Sequence, residues 1–415
     1  MVINVLAIGD IGNIISTLSK FTKKSKIHII NFPKDGAGVF TYNENVETFE
    51  NYKVKDHVEK INSIKNNFDI AITMGTGERT AYLADLNYIT FYVGRDIDAP
   101  RFKKNSNEDW SQEALHKLNF LERKFYWNSF NFAIAHVAYG WVFDHLKKYT
   151  NDGIKMDMEP IDTTIFHTKV TPLKKEKKKF TFFSPMRMEK FKGTNLLFDA
   201  LKFCKSDFEI IGVDWFGETT KEEIEFKNKL LANMPKQIKL IKPIKRSEMP
   251  NYYMFADAVL GNFYLGMYEL VALESVMCGT PVIQYSDQDQ EIIVNEEKLK
   301  SPFLPYSKNP KDIAKTIDHF VESPQFRNES YNQQLEFVKK ISDPEKCAEW
   351  WDNLFESMTK QHKSITKNSS KFSMKLRMLN FLIGNRLYFY KFKKFLEQND
   401  QSSKSGKLLK GSTEK

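Results

Sequence analysis

Two cations occupy a short loop that leads into a predicted helix. In the segment SPMRMEKFKGTNLLFDALK, a strand is expected to end near Pro185, and the loop that follows carries Arg187 and Lys192. Gly193 permits a tight turn there, and Thr194 is the expected N-cap of the helix. Cations beside a helix N-terminus form an anion site, because guanidinium and ammonium groups both bind phosphate oxygens. The segment therefore predicts a phosphate-binding loop. The simpler interpretation is two solvated surface cations.

A carboxylate falls in the middle of a second predicted helix. In GNFYLGMYELVALESVMCGTPVIQY, a glycine-containing loop leads into a helix over roughly residues 269–278, and Gly279 stands where a C-terminal cap belongs. Glu274 lies among Leu and Val, and an unpaired buried charge is costly. We therefore expect Glu274 either to accept hydrogen bonds from a pair of sugar hydroxyls or to form an internal ion pair.

The elements that position these residues alternate between strand and helix. In the first 160 residues, helices are predicted over Asp56 to Asn66 and Ser111 to Trp127, between short apolar strands. Those strands are Ile3 to Gly9, Lys26 to Phe32, Asp69 to Gly75, Tyr88 to Gly94 and Phe132 to Ala138. Such alternation favours a parallel sheet covered on both faces.

The same alternation restarts after a charged linker around Pro172 to Lys179, with strands predicted in FTFFSPM, DFEIIGV, QIKLIK, DAVLGN and TPVIQY. A chain of 415 residues is also too long for one core. The sequence predicts an N-terminal Rossmann-like domain over 1–170 and a C-terminal one over 178–342. A helix over 343–360 then returns towards the first domain, followed by a basic tail over 361–415. Two such sheets place the default ligand site in the cleft between them.

Several segments resemble family-four glycosyltransferases, which are retaining enzymes of GT-B fold. The resemblance lies in KGTNLLFDALK, PNYYMFADAVLG, ALESVMCGTPVI and MEPIDTTIFHTK, and more faintly in FDIAITMG and YVGRDI. It implies that Arg187 and Lys192 neutralise the diphosphate of a nucleotide-sugar donor in catalysis, and that Glu274 holds its ribose. It also implies that Pro243 and Ile244 line the base of the donor. Gly266, Met267, Tyr268 and Glu269 would lie beside its sugar. Gly9 and Gly12, in the first strand–helix turn, would let the backbone approach the diphosphate.

Two positions depart from the pattern of that family. The family usually carries a glutamate eight residues before the ribose-binding one, and Gly266 stands there. Glu269 is five residues before Glu274, about 140° around a helix, and on that geometry it does not simply substitute. Many relatives also carry a histidine where Val93 stands, and Asp96 is the candidate for a replacement contact on the acceptor side. His136, on an apolar strand, is expected to be a core residue.

The sequence leaves three other interpretations open. Asp96-Ile97-Asp98 forms the Asp-x-Asp pattern with which GT-A enzymes hold a metal ion. The two predicted domains and the C-terminal motifs disagree with a GT-A fold. A GT-B sugar-nucleotide epimerase would bind the same donor without an acceptor. A non-catalytic relative would bind nucleotide or glycan only. Our expectation is a metal-independent, cofactor-free glycosyltransferase of hexosyltransferase type, with a UDP- or GDP-linked donor and a glycan, lipid-linked or protein acceptor.

The distribution of charge along the chain indicates which partners the protein binds and where it is located. Residues 361–415 carry 13 Lys/Arg against 3 Asp/Glu, so the remaining chain is nearly neutral and nucleic-acid binding is not expected. Within this tail, 371–396 mixes cations with large apolar residues, and it is expected either to lie on an anionic membrane or to pack on the body. No signal peptide or membrane span is recognised, and three scattered cysteines fit a reducing cytosol. The sequence therefore predicts a cytoplasmic protein that takes part in glycan biosynthesis. It also predicts peripheral binding at the inner face of the cell membrane.

Overall fold

The computed structural model describes residues 2–33, 46–94, 97, 119–174, 176–216 and 221–386. The strands of the first half are β1 Ile3–Ile8, β2 Ser25–Asn31, β3 Glu47–Thr48, β4 Ile70–Thr73, β5 Tyr88–Tyr92, β6 Ala135–Ala138 and β7 Gly153–Lys155. They form a parallel sheet in the order β3-β2-β1-β4-β5-β6-β7. The helices between them are α1 Ile14–Ser19, α2 Val54–Ile64, α3 Gly77–Leu83, α4 Phe120–Phe132 and α5 Gly140–Leu146.

The second half contains another parallel sheet. Its strands, β8 Phe180–Ser184, β9 Phe208–Val213, β10 Ile238–Ile241, β11 Ala258–Leu260 and β12 Val282–Ile283, lie in the order β10-β9-β8-β11-β12. A hairpin of β13 Ile292–Val294 and β14 Glu297–Leu299 follows. The helices are α6 Thr194–Leu201, α7 Lys221–Ala232, α8 Met249–Phe255, α9 Leu270–Met277, α10 Pro310–Glu322, α11 Pro324–Ile341 and α12 Pro344–Gln361.

Each sheet reverses its strand order once, and these reversals determine where a ligand can bind. The order changes direction between β1 and β4 in the first sheet and between β8 and β11 in the second. Loops that leave the carboxyl ends of strands on either side of such a reversal diverge and leave a crevice. The loops after β1 and β4, and those after β8 and β11, therefore flank the crevices where a ligand is expected.

α12 belongs spatially to the first half. Trp351 is fully buried there, with its ring 5.1 Å from that of Phe91 in β5. The Oδ2 atom of Asp352 accepts hydrogen bonds from the backbone N–H groups of Lys23 and Lys24, at 2.8 and 2.9 Å. The chain thus returns to the first sheet after completing the second one.

A further helix over residues 371–386, α13, also lies on the first half. Phe381 is buried against Phe125 of α4, with the ring centroids 5.2 Å apart, and Arg377 Nη1 donates to Asp85 Oδ1 at 2.9 Å. Packing on the body, one of the two alternatives for this segment, therefore holds for one face of α13. Among the helices of the described residues, none has the length and hydrophobicity that a bilayer span requires.

Several predicted boundaries were wrong in detail. The capping box of α4 starts at Asn119, and the helix continues to Phe132, beyond the predicted end at Trp127; residues 111–118 lie outside the described structure. The next strand accordingly starts at Ala135 instead of Phe132. Thr194 is the first helical residue of α6, not its N-cap, which is Gly193. The hydroxyl of Thr194 instead accepts a hydrogen bond from the backbone N–H of Glu189 at 3.1 Å.

Candidate active site

A cleft of about 1010 Å³ lies between the carboxyl ends of the two sheets. This volume is at the upper end of the range found for small-molecule and cofactor sites. Its walls come from the loops after β1, β5 and β6 on one side and from those after β8, β9, β10 and β11 on the other. The predicted site residues on its walls are Gly12, Arg187, Lys192, Pro243, Ile244, Met267, Tyr268, Glu269 and Glu274.

The loop that carries Lys192 is fixed by a close backbone approach. Lys192 ends a short 3-10 helix over Lys190–Lys192, and Gly193 follows it with a φ of +70°. A Cβ atom on Gly193 would lie 2.8 Å from the backbone carbon of Phe263, so no other residue fits without a shift. The backbone N–H of Phe263 donates to the carbonyl of Lys192 at 3.1 Å. The loops after β8 and β11 are therefore joined beneath the cleft.

Both predicted phosphate-binding cations have carboxylate partners in the structure. The Nη2 atom of Arg187 lies 2.6 Å from Glu189 Oε2, and the guanidinium carbon is 5.8 Å from the ring centroid of Trp215. The Nζ atom of Lys192 lies 2.6 Å from Glu269 Oε1. Both cations line the cleft, so an incoming anion would compete with these carboxylates for them.

Asn262, which no motif in the sequence singled out, holds the loop that carries Glu269. Its amide Nδ2 donates to Glu269 Oε1 at 2.8 Å and to the carbonyl of Phe191 at 3.2 Å. Its Oδ1 accepts from the backbone N–H groups of Tyr264 and Leu265 at 2.7 and 3.0 Å. A fully buried amide with these four partners positions the loop after β11.

The prediction that Glu269 lies on the same helix as Glu274, about 140° around its axis, was wrong. Glu269 precedes α9 as the N-cap, in an extended conformation with φ −128° and ψ 160°. Its side chain therefore does not follow the helical wheel, and the predicted 140° separation from Glu274 does not apply. Glu269 presents its carboxylate to the cleft wall beside Lys192.

Gly266, which was predicted to contact the donor, is not among the residues that line the cleft. Its φ is +79°, and a Cβ atom there would lie 2.6 Å from the ring of Tyr285 and 2.7 Å from Asp287. A glutamate at this position would be strained and crowded. Its neighbours Met267 and Tyr268 do line the cleft, and the Tyr268 hydroxyl donates to the carbonyl of Asp157 at 3.0 Å.

Glu274 lines the cleft and forms an internal ion pair, one of its two predicted roles, with a partner that the sequence did not identify. Arg246, in the 3-10 helix Arg246–Glu248, pairs with Glu274, and the Tyr253 hydroxyl donates to Glu274 Oε2 at 3.2 Å. Arg246 Nη1 also donates to the carbonyl of Gly12, at 3.2 Å, and so links the two halves. Burial raises the pKa of Glu274, and Arg246 opposes that shift. The only signal for Arg246 was a basic residue shortly after the predicted strand QIKLIK.

A second buried carboxylate, Glu159, was also missed. It lines the cleft, and its Oε1 accepts a hydrogen bond from the Tyr139 hydroxyl at 3.2 Å. Its Oε2 has no hydrogen-bond partner among the described residues. Burial raises the pKa of Glu159 to about 8, so the carboxyl group holds its proton at neutral pH. Glu159 belongs to the segment MEPIDTTIFHTK, so its place near the end of the first half is readable from the sequence, whereas its burial is not.

The remaining predicted residues lie elsewhere. Asp96 and Asp98 fall outside the described residues, so the candidate acceptor contact and the Asp-x-Asp pattern have no structural account. His136 is buried in the core, with its ring centroid 4.0 Å from that of Phe130. Burial lowers the pKa of His136 to about 4. In the part of the chain that the structure describes, no group of three or more His, Cys, Asp or Glu side chains could hold a metal ion.

Comparison with known proteins identifies the fold. Residues 167–336 match a family model described as glycosyl transferases group 1. The Anabaena protein Alr3699/HepE, solved in complex with UDP-glucose, is 14% identical, with a TM-score of 0.59 over 86% of this chain and 100% of that one. Sucrose-phosphate synthase from Thermosynechococcus elongatus is 14% identical, with a TM-score of 0.60 over 86% of this chain and 98% of that one. An alpha-glucosyltransferase solved with UDP and a 13-mer DNA is 12% identical, with a TM-score of 0.59, 86% coverage of this chain and 100% of that one. No curated protein matches the chain significantly. The predicted GT-B fold of two Rossmann-like halves is confirmed.

Proposed function

We propose that this chain is a glycosyltransferase of the retaining family-four type that moves a hexosyl group from a nucleoside-diphosphate sugar to an acceptor hydroxyl. The observation that carries the proposal is the convergence of Arg187, Lys192 and Glu274 on one cleft between the two sheets. All three residues lie within the segment that matches the group 1 model. Solved structures of the same fold contain UDP or UDP-glucose, which favours a uridine diphosphate donor over a guanosine one.

Each part of the donor has a matching part of the cleft in this proposal. Arg187 and Lys192 exchange their carboxylate partners for the diphosphate, because charge-assisted bonds to phosphate are strong and directional. Glu274 accepts hydrogen bonds from the ribose, and the loop over 267–269 lies beside the sugar. Pro243 and Ile244 supply an apolar wall for the base.

The chemical step is proposed to depend on stabilisation of the leaving group. As the bond between the anomeric carbon and the diphosphate breaks, negative charge grows on the phosphate oxygens next to the two cations. Cations that are already in place stabilise that charge without reorganisation and without a metal ion. The acceptor oxygen then bonds to the anomeric carbon from the side of the leaving group, and its proton passes to a departing phosphate oxygen, so the anomeric configuration is retained.

The acceptor and the location belong to the proposal as well. The acceptor is a glycan, a lipid-linked sugar or a protein, and the side of the cleft formed by the loops after β5 and β6 is where it would enter. A cytoplasmic location is supported by Cys204, Cys278 and Cys347, which form no disulfide.

The first test is the shift in melting temperature with UDP, GDP, ADP and their common sugars. A ligand at about 100 times its dissociation constant adds about 2.7 kcal/mol to the free energy of unfolding, which raises the melting temperature by a few degrees. We expect a shift with one nucleotide family, and a smaller shift in Glu274→Ala. No shift with any nucleotide in a protein that melts cooperatively would contradict the proposal.

One observation favours a second candidate, a sugar-nucleotide epimerase. Glu159 and Tyr139 place a protonated carboxyl group and a phenol in the cleft, which are groups that could move a proton on a bound sugar. Incubation with the donor alone separates the functions. Reversible conversion to another sugar isomer indicates an epimerase, whereas slow release of nucleotide indicates a transferase, and binding without either indicates a non-catalytic protein.

A further inference from the structure

The helix α13 has two unlike faces, and only one of them packs on the protein. On the inner face, Phe381 and Gly384 are buried, and the guanidinium of Arg377 lies 4.3 Å from the ring centroid of Phe132. Asn119 Nδ2 donates to the carbonyl of Gly384 at 3.2 Å. These contacts fix the rotation of α13, so its outer face is defined by the structure and not only by its sequence.

The outer face of α13 is made of large apolar side chains and cations alone. Among residues 371–386, those classed as exposed are Lys371, Phe372, Lys375, Leu376, Leu379, Leu382, Ile383 and Arg386. Phe372 is 76% exposed, and Leu376 and Leu379 are 47% and 52% exposed. No aspartate or glutamate occurs between residues 371 and 386. A helix face that contacts only solvent usually carries neutral polar or acidic side chains at some of these eight positions.

Another large apolar side chain is exposed at the start of α4, next to a residue that contacts α13. Phe120, which follows the Asn119 that contacts Gly384, is 68% exposed. The nearby Glu122 has its carboxylate engaged in the capping box of α4, where Oε2 accepts from the backbone N–H of Asn119 at 2.8 Å. The surface therefore combines several exposed apolar side chains with a positive charge.

The positive charge of this surface favours an anionic membrane over a second copy of the chain as its binding partner. A symmetric contact between two copies would bring Lys371, Lys375 and Arg386 close to the same cations of the partner, and like charges repel. An anionic lipid surface offers phosphates to the cations and an apolar interior to the leucines. In the sequence, the chain after Arg386 continues with Lys391, Lys393 and Lys394, which adds charge of the same sign.

We propose that the outer face of α13 binds the surface of an anionic membrane. The apolar side chains enter the interface between headgroups and acyl chains, and Lys371, Lys375 and Arg386 contact lipid phosphates. α13 lies along the membrane plane and does not cross it. The proposal does not depend on sugar transfer, so it stands or fails separately from the proposed function.

Sedimentation with vesicles tests the proposal on the full-length protein. We expect binding to vesicles of equimolar phosphatidylcholine and phosphatidylglycerol, weaker binding to phosphatidylcholine alone, and a loss of that difference at high salt. Leu376→Gln/Leu379→Gln should lower binding to the anionic vesicles by about tenfold or more, because two apolar side chains no longer enter the interface. Lys371→Gln/Lys375→Gln/Arg386→Gln should lower it by about a hundredfold at low salt.

Matched variants elsewhere on the protein control for general effects. Ile224→Gln/Leu231→Gln in α7 changes two apolar residues that are 45% and 42% exposed, and it should bind as the wild type does. Lys202→Gln/Lys229→Gln/Lys298→Gln removes three cations from exposed positions of the second half. Melting temperature verifies folding. If a double variant unfolds, Phe372→Ser at the exposed start of α13 replaces it.

Three results would overturn the proposal. Unchanged binding of Leu376→Gln/Leu379→Gln would mean that the apolar face does not enter the lipid and that the basic tail alone adsorbs. Equal loss in the control variants would mean that binding depends on overall charge. Absence of wild-type vesicle binding, together with a dimer in solution that Leu376→Gln/Leu379→Gln dissociates, would identify a second copy as the occupant.

Discussion

The Oε1 atom of Glu269 lies 2.6 Å from the Nζ atom of Lys192, although the two residues are 77 positions apart in the chain. The contact exists because β8 and β11 are neighbours in the second sheet, so that the loops at their carboxyl ends meet. It places a carboxylate beside the cation that we propose to bind the donor diphosphate. The behaviour of this pair is therefore central to the predicted activity.

Replacement of Lys192 should affect the chemical step. Lys192→Ala removes a cation that stabilises the leaving diphosphate, and it should lower turnover by roughly a hundredfold or more. Steady-state release of nucleotide from the donor in the presence of acceptor measures this. Lys190→Ala, two residues earlier in the same 3-10 helix and exposed, should retain normal turnover. Wild-type rates in Lys192→Ala would rule out its catalytic role.

Neutralisation of Glu269 should have opposite effects on the free nucleotide and on the reaction. Glu269→Gln removes the negative charge that competes with a diphosphate for Lys192, so the affinity for free UDP should rise several-fold. Turnover should fall, because the carboxylate at the cleft wall no longer binds the sugar. Titration calorimetry and a turnover assay measure the two quantities. Unchanged affinity for UDP would show that the pair does not open for the donor.

The Arg246–Glu274 pair should be sensitive to removal of one partner. Arg246→Met leaves the carboxylate of Glu274 buried without its cation, which should lower the free energy of unfolding by about 3 kcal/mol. Glu274→Gln added to Arg246→Met should restore part of that loss, because the uncompensated charge disappears. Urea denaturation of the single and double variants measures the coupling. If the two effects simply add, the pair does not stabilise the fold.

Glu159 should make stability fall as pH rises. Its pKa is about 8 in the folded protein against 4.5 as the ordinary value, because burial disfavours the charged form. Between these values the unfolded chain has lost the proton that the folded protein keeps. The free energy of unfolding therefore decreases from about pH 5 to pH 8, by on the order of 4 kcal/mol.

Glu159→Gln should remove that slope. Urea denaturation across the pH range compares it with the wild type and with Glu349→Gln, a control at an exposed position. Parallel curves for the wild type and Glu159→Gln would show that Glu159 ionises normally in the folded state.

His136 should have the opposite pH dependence. Its pKa is lowered from 6.5 to about 4 by burial, so the unfolded chain takes up a proton first as the pH falls. Stability should be complete above about pH 6.5 and decrease by about 3 kcal/mol as the pH approaches 4. His136→Phe should weaken this dependence, and the slope is the readout because a packing cost from the larger ring is independent of pH. An unchanged slope would locate the acid sensitivity in other groups.

The alternation of strands and helices could be predicted from the amino-acid sequence alone, as could the charged linker and the chemistry of Arg187, Lys192 and Glu274. These features are readable because apolar periodicity and turn residues act over a few neighbouring positions. For the same reason the helix that carries Glu274 was predicted almost to its ends, and its burial followed from the surrounding Leu and Val.

Which groups meet in the cleft depends on the three-dimensional packing of the chain. The pairing of Glu269 with Lys192 depends on the order of β8 and β11, and Arg246 reaches Glu274 and Gly12 because the two halves face each other. The burial of Glu159 depends on the same closure. The rotation of α13, which turns its leucines outward, depends on contacts with α3 and α4 that are more than 250 residues away in the chain. Such long-range contacts arise from the packing of whole elements, and the spacing of residues along the chain does not encode them.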